Sequence, residues 1–199
     1  KHQIKKYSAL TLILLLAVAS IPFVYAGSSL IATGGSTDVT FNNHQRKLAR
    51  TSDGALHAVY WKNNGTDSHI FYAYSEDEGN TWVEEQISHP PLDREQLDPS
   101  IAVDSQDNVH VVWHGGGWGT NQNRNNIHYR MKSPSGWQET IGLTDIGEYQ
   151  YYPSLAVDSE DNVHVVWRGK GWGSNAGYDS IQYMMKTSSG WQPQEGLTD

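Results

Sequence analysis

The sequence predicts an all-β fold made of repeated four-stranded antiparallel units, and three observations carry that expectation. Residues 99–145 and 153–199 are two copies of one unit with an offset of 54 and no gap. Counted from Asp98 and Tyr152, 30 of 48 aligned positions are identical. Within each copy the apolar runs are short, β-branched or aromatic, and separated by Asp-Asn, Gly or Ser-Gly turn signals. Outside an apolar N-terminal run, no stretch shows a helical period.

Taken from the N-terminus, "KHQIKKYSALTLILLLAVASIPFVYAGSS" is a short basic head followed by an apolar run to Ala26. That is the layout of a secretory signal, with Val24 and Ala26 as the small residues before a cut after Ala26. A retained transmembrane helix is the rival reading, and it would be the chain's sole membrane contact. Residues 27–44 read as a linker or a closing strand. Three units then fill 45–97, 98–151 and 152–199. The first is diverged: "DGALHAVYW" (Asp53 to Trp61) stands in the place of "DNVHVVW", and "HIFYAYSEDEGNTW" (His69 to Trp82) in that of "NIHYRMKSPSGW". Four strands are expected per unit, at 99–104, 108–114, 126–132 and 136–141 in the second and at 153–158, 162–168, 180–186 and 190–195 in the third.

Repeats of this length with four antiparallel strands describe β-propeller blades. A closed ring typically takes about four to eight blades. The chain is therefore expected to be part of a longer protein with a six-bladed or similar ring, oligomeric closure being the alternative. Loss of the signal removes Lys1, Lys5 and Lys6 and moves the formal charge from −8 to −11, which argues against nucleic acid as a partner. With no cysteine, an exported chain must hold together by burying its eight Trp and eleven Tyr.

With the units in place, "SEDEGNTW" fits the pattern Ser-x-Asp-x-Gly-x-Thr-Trp through Ser75, Asp77, Gly79, Thr81 and Trp82. The first unit thus resembles a blade of the sialidase-like (neuraminidase-type) Asp-box, or BNR-repeat, β-propeller superfamily. In the later units the box decays to "KSPSGW" and "KTSSGW". The resemblance implies a structural turn between third and fourth strands, in which the Asp77 carboxylate accepts hydrogen bonds from turn N–H groups and hydroxyls. Gly79 allows a positive φ and Trp82 packs its ring. A catalytic reading of this acidic stretch fails on spacing. Glycosidase carboxyls face one sugar across several ångströms, whereas Glu76 and Glu78 flank Asp77 on a turn. The ligand spacing of a calcium loop is absent, and no metal or cofactor is called for. "DSQDN" and "DSEDN" likewise read as turns.

Antiparallel order sends the Asp box and the "DSxDN" turns to one end of each blade. The resemblance implies ligand binding at the other end, where strand two meets strand three and where blades join. "HGGGWGTNQNRNN" and "RGKGWGSNAGYDS" place Trp118 and Trp172 there. Each indole is either a stacking platform for a sugar or a cap folded onto its blade. His114, Arg124 and Arg168 belong to the same loops, and Arg94, Glu148 and Tyr149 to the junctions. The arginines either form a cationic lining suited to a carboxylate ligand such as sialic acid or pair with neighbouring acids.

Three readings of function follow. One is an exported, periplasmic or cell-surface propeller that recognises glycans or glycoconjugates through its Trp loops. The second is a sialidase-like glycoside hydrolase. The resemblance implies three arginines, an acid/base Asp and a Tyr–Glu nucleophile pair for such an enzyme, and no catalytic residue can be assigned here. The Phe-Arg-Ile-Pro motif is missing, "QRKLAR" keeping only Arg46. The third is a surface or adhesion scaffold without a sugar site.

Overall fold

A computed structural model describes residues 45–63, 65–91 and 94–198. The expected signal segment (1–26) and the linker or closing strand (27–44) lie outside the described residues. Within them the chain is all-β, with three antiparallel sheets in chain order and no helix. The first sheet is β1 (Leu48–Arg50), β2 (Leu56–Asn63), β3 (Ser68–Ser75) and β4 (Val83–Gln86). The second comprises β5 (Gln96–Val103), β6 (Val109–Gly115), β7 (Asn126–Ser133), β8 (Gly136–Trp137) and β9 (Ile141–Gly142). The third repeats it as β10 (Gln150–Val157), β11 (Val163–Gly169), β12 (Ser180–Thr187), β13 (Gly190–Trp191) and β14 (Glu195–Gly196).

Two details differ from the expected strands. The first strand of the later units begins three residues early, at Gln96 and Gln150, because a bulge lets the chain keep pairing across a proline. The register shifts between Leu97 and Ser100 and between Tyr151 and Ser154. Asp98 and Tyr152, each ahead of a proline that cannot donate to the ladder, take φ of 50° and 55°. The fourth strand is two short pieces rather than one run. Trp137 pairs Lys132, but Ile141 pairs Tyr129, so one extra residue is accommodated between them. The first unit is also in a different register from the one its tryptophan implies. Val59 pairs Tyr72 as Val112 pairs Tyr129, so Tyr60, not Trp61, stands where Trp113 stands.

The core lies between the sheets. Val59, Ile70, Tyr72 and Ile87 of the first sheet meet Ile101, Val109, Val111 and Trp113 of the second. Ala102, Val112, Ile127 and Tyr129 of the second meet Leu155, Val163, Val165 and Trp167 of the third. Side chains alternate across each middle strand, so one blade supplies both faces. The two fully buried indoles, Trp113 and Trp167, have their polar edges satisfied. Trp113 Nε1 donates to Gln96 Oε1 (2.9 Å) and Trp167 Nε1 to Gln150 Oε1 (2.8 Å). Next to these pairs the backbone passes so close that a Cβ on Gly169 would come within 1.8 Å of Gln150 Oε1.

Between strands one and two the turns are clips. Asp104 Oδ1 accepts the N–H groups of Gln106 and Asn108, and Asp158 repeats this with Glu160 and Asn162. The clips also join blades. Ser52 donates its N–H and hydroxyl to Asp107, and Ser105 does the same to Asp161. Behind the turns of the second and third blades runs a chain of carboxylate, imidazole and phenol. Asp104 accepts from His110 Nε2 (3.0 Å), leaving Nδ1 to accept the Tyr129 hydroxyl (2.7 Å). Burial lowers the His110 pKa and raises that of Tyr129, so both stay neutral. The third blade repeats the chain through Asp158, His164 and Tyr183, which marks it as a structural device.

The "SEDEGNTW" turn has the clip geometry. Asp77 Oδ1 accepts from Ser75 Oγ (2.8 Å) and the Thr81 N–H (2.8 Å), and Oδ2 from the Thr81 hydroxyl (2.7 Å). These bonds hold its carboxyl below the usual range. Gly79 takes φ 88° and donates to Ser75 Oγ, while Trp82 Nε1 donates to the Gly79 carbonyl. Glu76 and Glu78 are exposed.

Candidate functional site

At the opposite end, the loops after β6 and β11 and the junctions before β5 and β10 come together. The β6–β7 loop is fastened by a residue the sequence reading passed over, Asp145. Its carboxylate accepts the N–H groups of Thr120 (2.8 Å) and Asn121 (2.9 Å), bonds that lower its pKa to about 2. The approach requires Gly119, φ 69°, where a Cβ would lie 2.6 Å from that carboxylate. The Asp145 bonds tie the loop to the end of its own blade.

Trp118 folds back. Its ring lies 4.4 Å from that of His128 and packs edge-on against Trp113 at 6.2 Å, so it caps the blade. Trp172 is half-buried against Gly196, where a Cβ would come within 2.1 Å of the indole. It borders an open cleft of about 300 Å³ with Asn175, Tyr178, Asp179 and Ser180. Arg94 belongs to a different junction. It donates to Asn123 Oδ1 (2.7 Å) and lines a polar cleft of about 370 Å³ with Asp67, Glu95, Gln122 and Asn125.

Four of the residues expected at the site gather around Tyr151 and Tyr152. Tyr149 and Tyr151 have near-parallel rings, 5.6 Å apart at 8°. Arg124 lies over the Tyr149 ring at 4.6 Å, and Arg168 pairs with Asp179 at 2.5 Å. His114 sits below, its ring edge-on to Tyr151 (5.2 Å) and Tyr152 (5.7 Å). It is 2% exposed, so it supports the cluster rather than facing solvent. Glu148 is exposed and its side-chain carbons pass over Gly171. The Tyr151 pKa is raised, chiefly by burial and then by Tyr149 and Tyr152, with Arg168 and Arg124 pulling it back. A phenol in that state donates hydrogen bonds and is a poor nucleophile.

Beneath the tyrosines is an ionic seam that the sequence pattern did not disclose. Lys47 Nζ donates to the Pro99 carbonyl (2.5 Å), and burial lowers its pKa to about 8 against the opposing pull of Asp98. Asp98, buried and at φ 50°, lies 3.8 Å from His114 Nδ1. Burial, and after it the neighbouring His128 and Lys47, keep this imidazole neutral. The His114 pKa falls to about 3, and the Tyr152 N–H donates to its Nδ1 (3.4 Å). The one available signal was comparison of the two copies. Leu97, Asp98, His114 and Arg124 become Tyr151, Tyr152, Arg168 and Tyr178 at an offset of 54.

The arrangement sets the exposed guanidinium groups of Arg124, over Tyr149, and Arg168, paired with Asp179, beside three exposed or half-buried phenols, groups that can meet a polar, anionic ligand by stacking and charge-assisted hydrogen bonds. Among the described residues, no group of three or more His, Cys, Asp or Glu is placed to hold a metal ion.

No family model matches the chain, and no curated protein matches it. Solved structures do. A protein of unknown function from Dyadobacter fermentans DSM 18053 matches at a TM-score of 0.56 and 11% identity, over 75% of this chain and 40% of that one. An ulvan lyase of polysaccharide lyase family PL25 matches at 0.52 and 14%, over 75% and 42%. The polysaccharide lyase Uly1 matches at 0.52 and 10%, over 76% and 40%. At these identities the likeness is one of fold, and the three sheets are blades of a β-propeller. The chain spans about two fifths of the length of these structures.

Proposed function

We propose that this chain is the glycan-recognition part of an exported Asp-box propeller, and that it binds an acidic saccharide at the Tyr149–Tyr151–Tyr152 cluster. The observation that carries the reading is the convergence of Arg124 and Arg168 on three exposed or half-exposed phenols at the loop end of the second and third blades. A sugar presents a C–H face to an aromatic ring and a carboxylate to a guanidinium fork, and this surface offers both partners. Two structures that share the fold are polysaccharide lyases, so saccharides are the ligand class to test first. The N-terminal basic and apolar segment supports export.

The experiment is a glycan array followed by calorimetry with the best acidic oligosaccharide. Arg124→Ala and Arg168→Ala are expected to weaken binding about tenfold or more each, the effect of losing roughly 1.4 kcal/mol of a charge-assisted contact. Arg94→Ala, in the neighbouring cleft, is expected to leave it unchanged. Absence of any bound glycan, or equal affinity in all three variants, overturns the reading.

A further inference from the structure

The third blade departs from the second at the loop end, and the departure opens a cleft beside the tyrosine cluster. In the second blade Trp118 rests on the ring of His128, 4.4 Å away. The residue 54 positions on from His128 is Gln182, which is buried and turns its amide to the Lys170 carbonyl (3.4 Å) and Ser180 Oγ (3.3 Å). Without that ring to rest on, Trp172 lies over Gly196. A Cβ on the matching Gly142 would meet His128 Nδ1 at 3.9 Å and not the Trp118 indole. The displaced indole walls the open cleft of about 300 Å³.

Three further changes between the copies furnish this cleft. His114, Arg124 and Asn125 of the second blade become Arg168, Tyr178 and Asp179. Tyr178 is 77% exposed and lines the cleft with Trp172. Exposure belongs to the position itself, since Arg124 is exposed at the same place with the third blade beside it. Asp179 carries the one charge on the cleft wall among the described residues. It also joins the cleft to the tyrosine cluster. Its Oδ2 accepts from Arg168 Nη2 (2.5 Å), and Arg168 stands in register with Tyr151 across β10 and β11.

We propose that this cleft is a second saccharide subsite, which seats an uncharged sugar next to the acidic unit held at the tyrosine cluster. The proposal rests on that cluster being a saccharide site. Charge sorts the two seats. The cluster presents Arg124 and Arg168 to an anion. The cleft presents the Asp179 carboxylate, which accepts hydrogen bonds from sugar hydroxyls and repels a second acidic unit. The rings of Tyr178 and Trp172 meet the C–H face of the uncharged sugar. The ligand class is therefore a saccharide in which an acidic unit is followed by a neutral one, rather than a lone acidic sugar or a run of uronic acids.

The test titrates the chain with glucuronate, a glucuronosyl-xylose disaccharide and digalacturonate, followed by NMR. The glucuronosyl-xylose disaccharide is expected to bind about tenfold tighter than glucuronate, the gain that one stacked sugar ring supplies. Digalacturonate is expected to bind no tighter than glucuronate. Tyr178→Ala is expected to remove the advantage of the mixed disaccharide over glucuronate. Asp179→Asn is expected to close the gap between digalacturonate and the mixed disaccharide, because the repelling charge is gone. Glucuronate that binds through Arg124 while the mixed disaccharide gains nothing, or an advantage that survives Tyr178→Ala, overturns the proposal and leaves the tyrosine site standing. So does digalacturonate binding the unaltered chain as tightly as the mixed disaccharide. If none of the three probes binds, both readings fall.

Discussion

Mild acid is expected to destabilise this protein through two buried histidines. His114 and His128 are 2% and 1% exposed, and burial lowers their pKa values to about 3 and about 4 from 6.5. His128 shows why the proton is refused. Its Nε2–H donates to the Gly115 carbonyl (2.9 Å), its Nδ1 is buried without a hydrogen-bonding partner, and Trp118 covers the ring. A depressed folded pKa means that the unfolded chain binds the proton first. The stability due to neutral histidine is therefore complete above the unfolded pKa of 6.5 and is lost as pH falls from there through 4 toward 3. Between about pH 7.5 and 5 each histidine costs the native state about 2 kcal/mol, so the pair costs about 4 kcal/mol. His57 and His110 shift in the same direction and add to the loss. Two other shifted groups, Asp145 and Lys47, titrate outside that window. Asp145, at about 2 in the fold, loses its contribution only below the usual carboxylate range, and Lys47, at about 8, titrates above it. Urea unfolding followed by tryptophan fluorescence at the two pH values measures the difference. His128→Gln, which can keep the bond to Gly115, is expected to reduce the loss by about 2 kcal/mol. Equal unfolding free energies at both pH values, or an undiminished loss in the variant, would refute the argument.

Three further outcomes test the architecture. Gly169→Ala forces a methyl to within 1.8 Å of Gln150 Oε1 and displaces the acceptor of Trp167 Nε1. It is expected to cost about 1–3 kcal/mol in urea unfolding, as overpacking does, and Gly115→Ala is expected to match it through Gln96. Asp77→Ala removes the acceptor for Ser75 and Thr81 and is expected to lower the melting temperature without altering saccharide binding, which calorimetry checks. Tyr151→Phe is expected to leave the fold intact by circular dichroism while weakening binding of an acidic oligosaccharide, since it removes only the phenol hydroxyl of a half-buried ring.

The blades were legible because their signals are local. Turn residues such as Asp104 with Asn108 and the 54-residue identity fix strands that pair with near neighbours, so sequence alone placed most of their boundaries. The bulges at Asp98 and Tyr152 were not legible, because a proline reads as the start of a strand, whereas here the ladder resumes on its far side. Trp118 was ambiguous for a different reason. Its glycine neighbours allow an outward or an inward indole, and the choice is made by the Trp113 and His128 rings, which belong to other strands. The seam of Lys47, Asp98 and His114 joins parts of the chain up to 67 residues apart, and no local pattern encodes such a meeting.

The division of labour between repeated and altered positions points the same way as the geometry. Residues that both later copies retain build the blade: Gln96 with Trp113 and Gln150 with Trp167, or His110 with Tyr129 and His164 with Tyr183. Each pair has its partner within its own sheet, so it works equally well in any blade. The altered positions do not have that independence. His114 in one copy lies under Tyr151 and Tyr152 of the next, and Arg124 of one covers Tyr149 that leads into the other. The corresponding side chains of the third blade, Arg168 and Tyr178, have a different chemistry and cannot reproduce the arrangement. A structural joint would have been copied along with the blade. A cluster that occurs once among the described residues, at the junction where the copies differ in charge and aromatic content, suits a single asymmetric ligand.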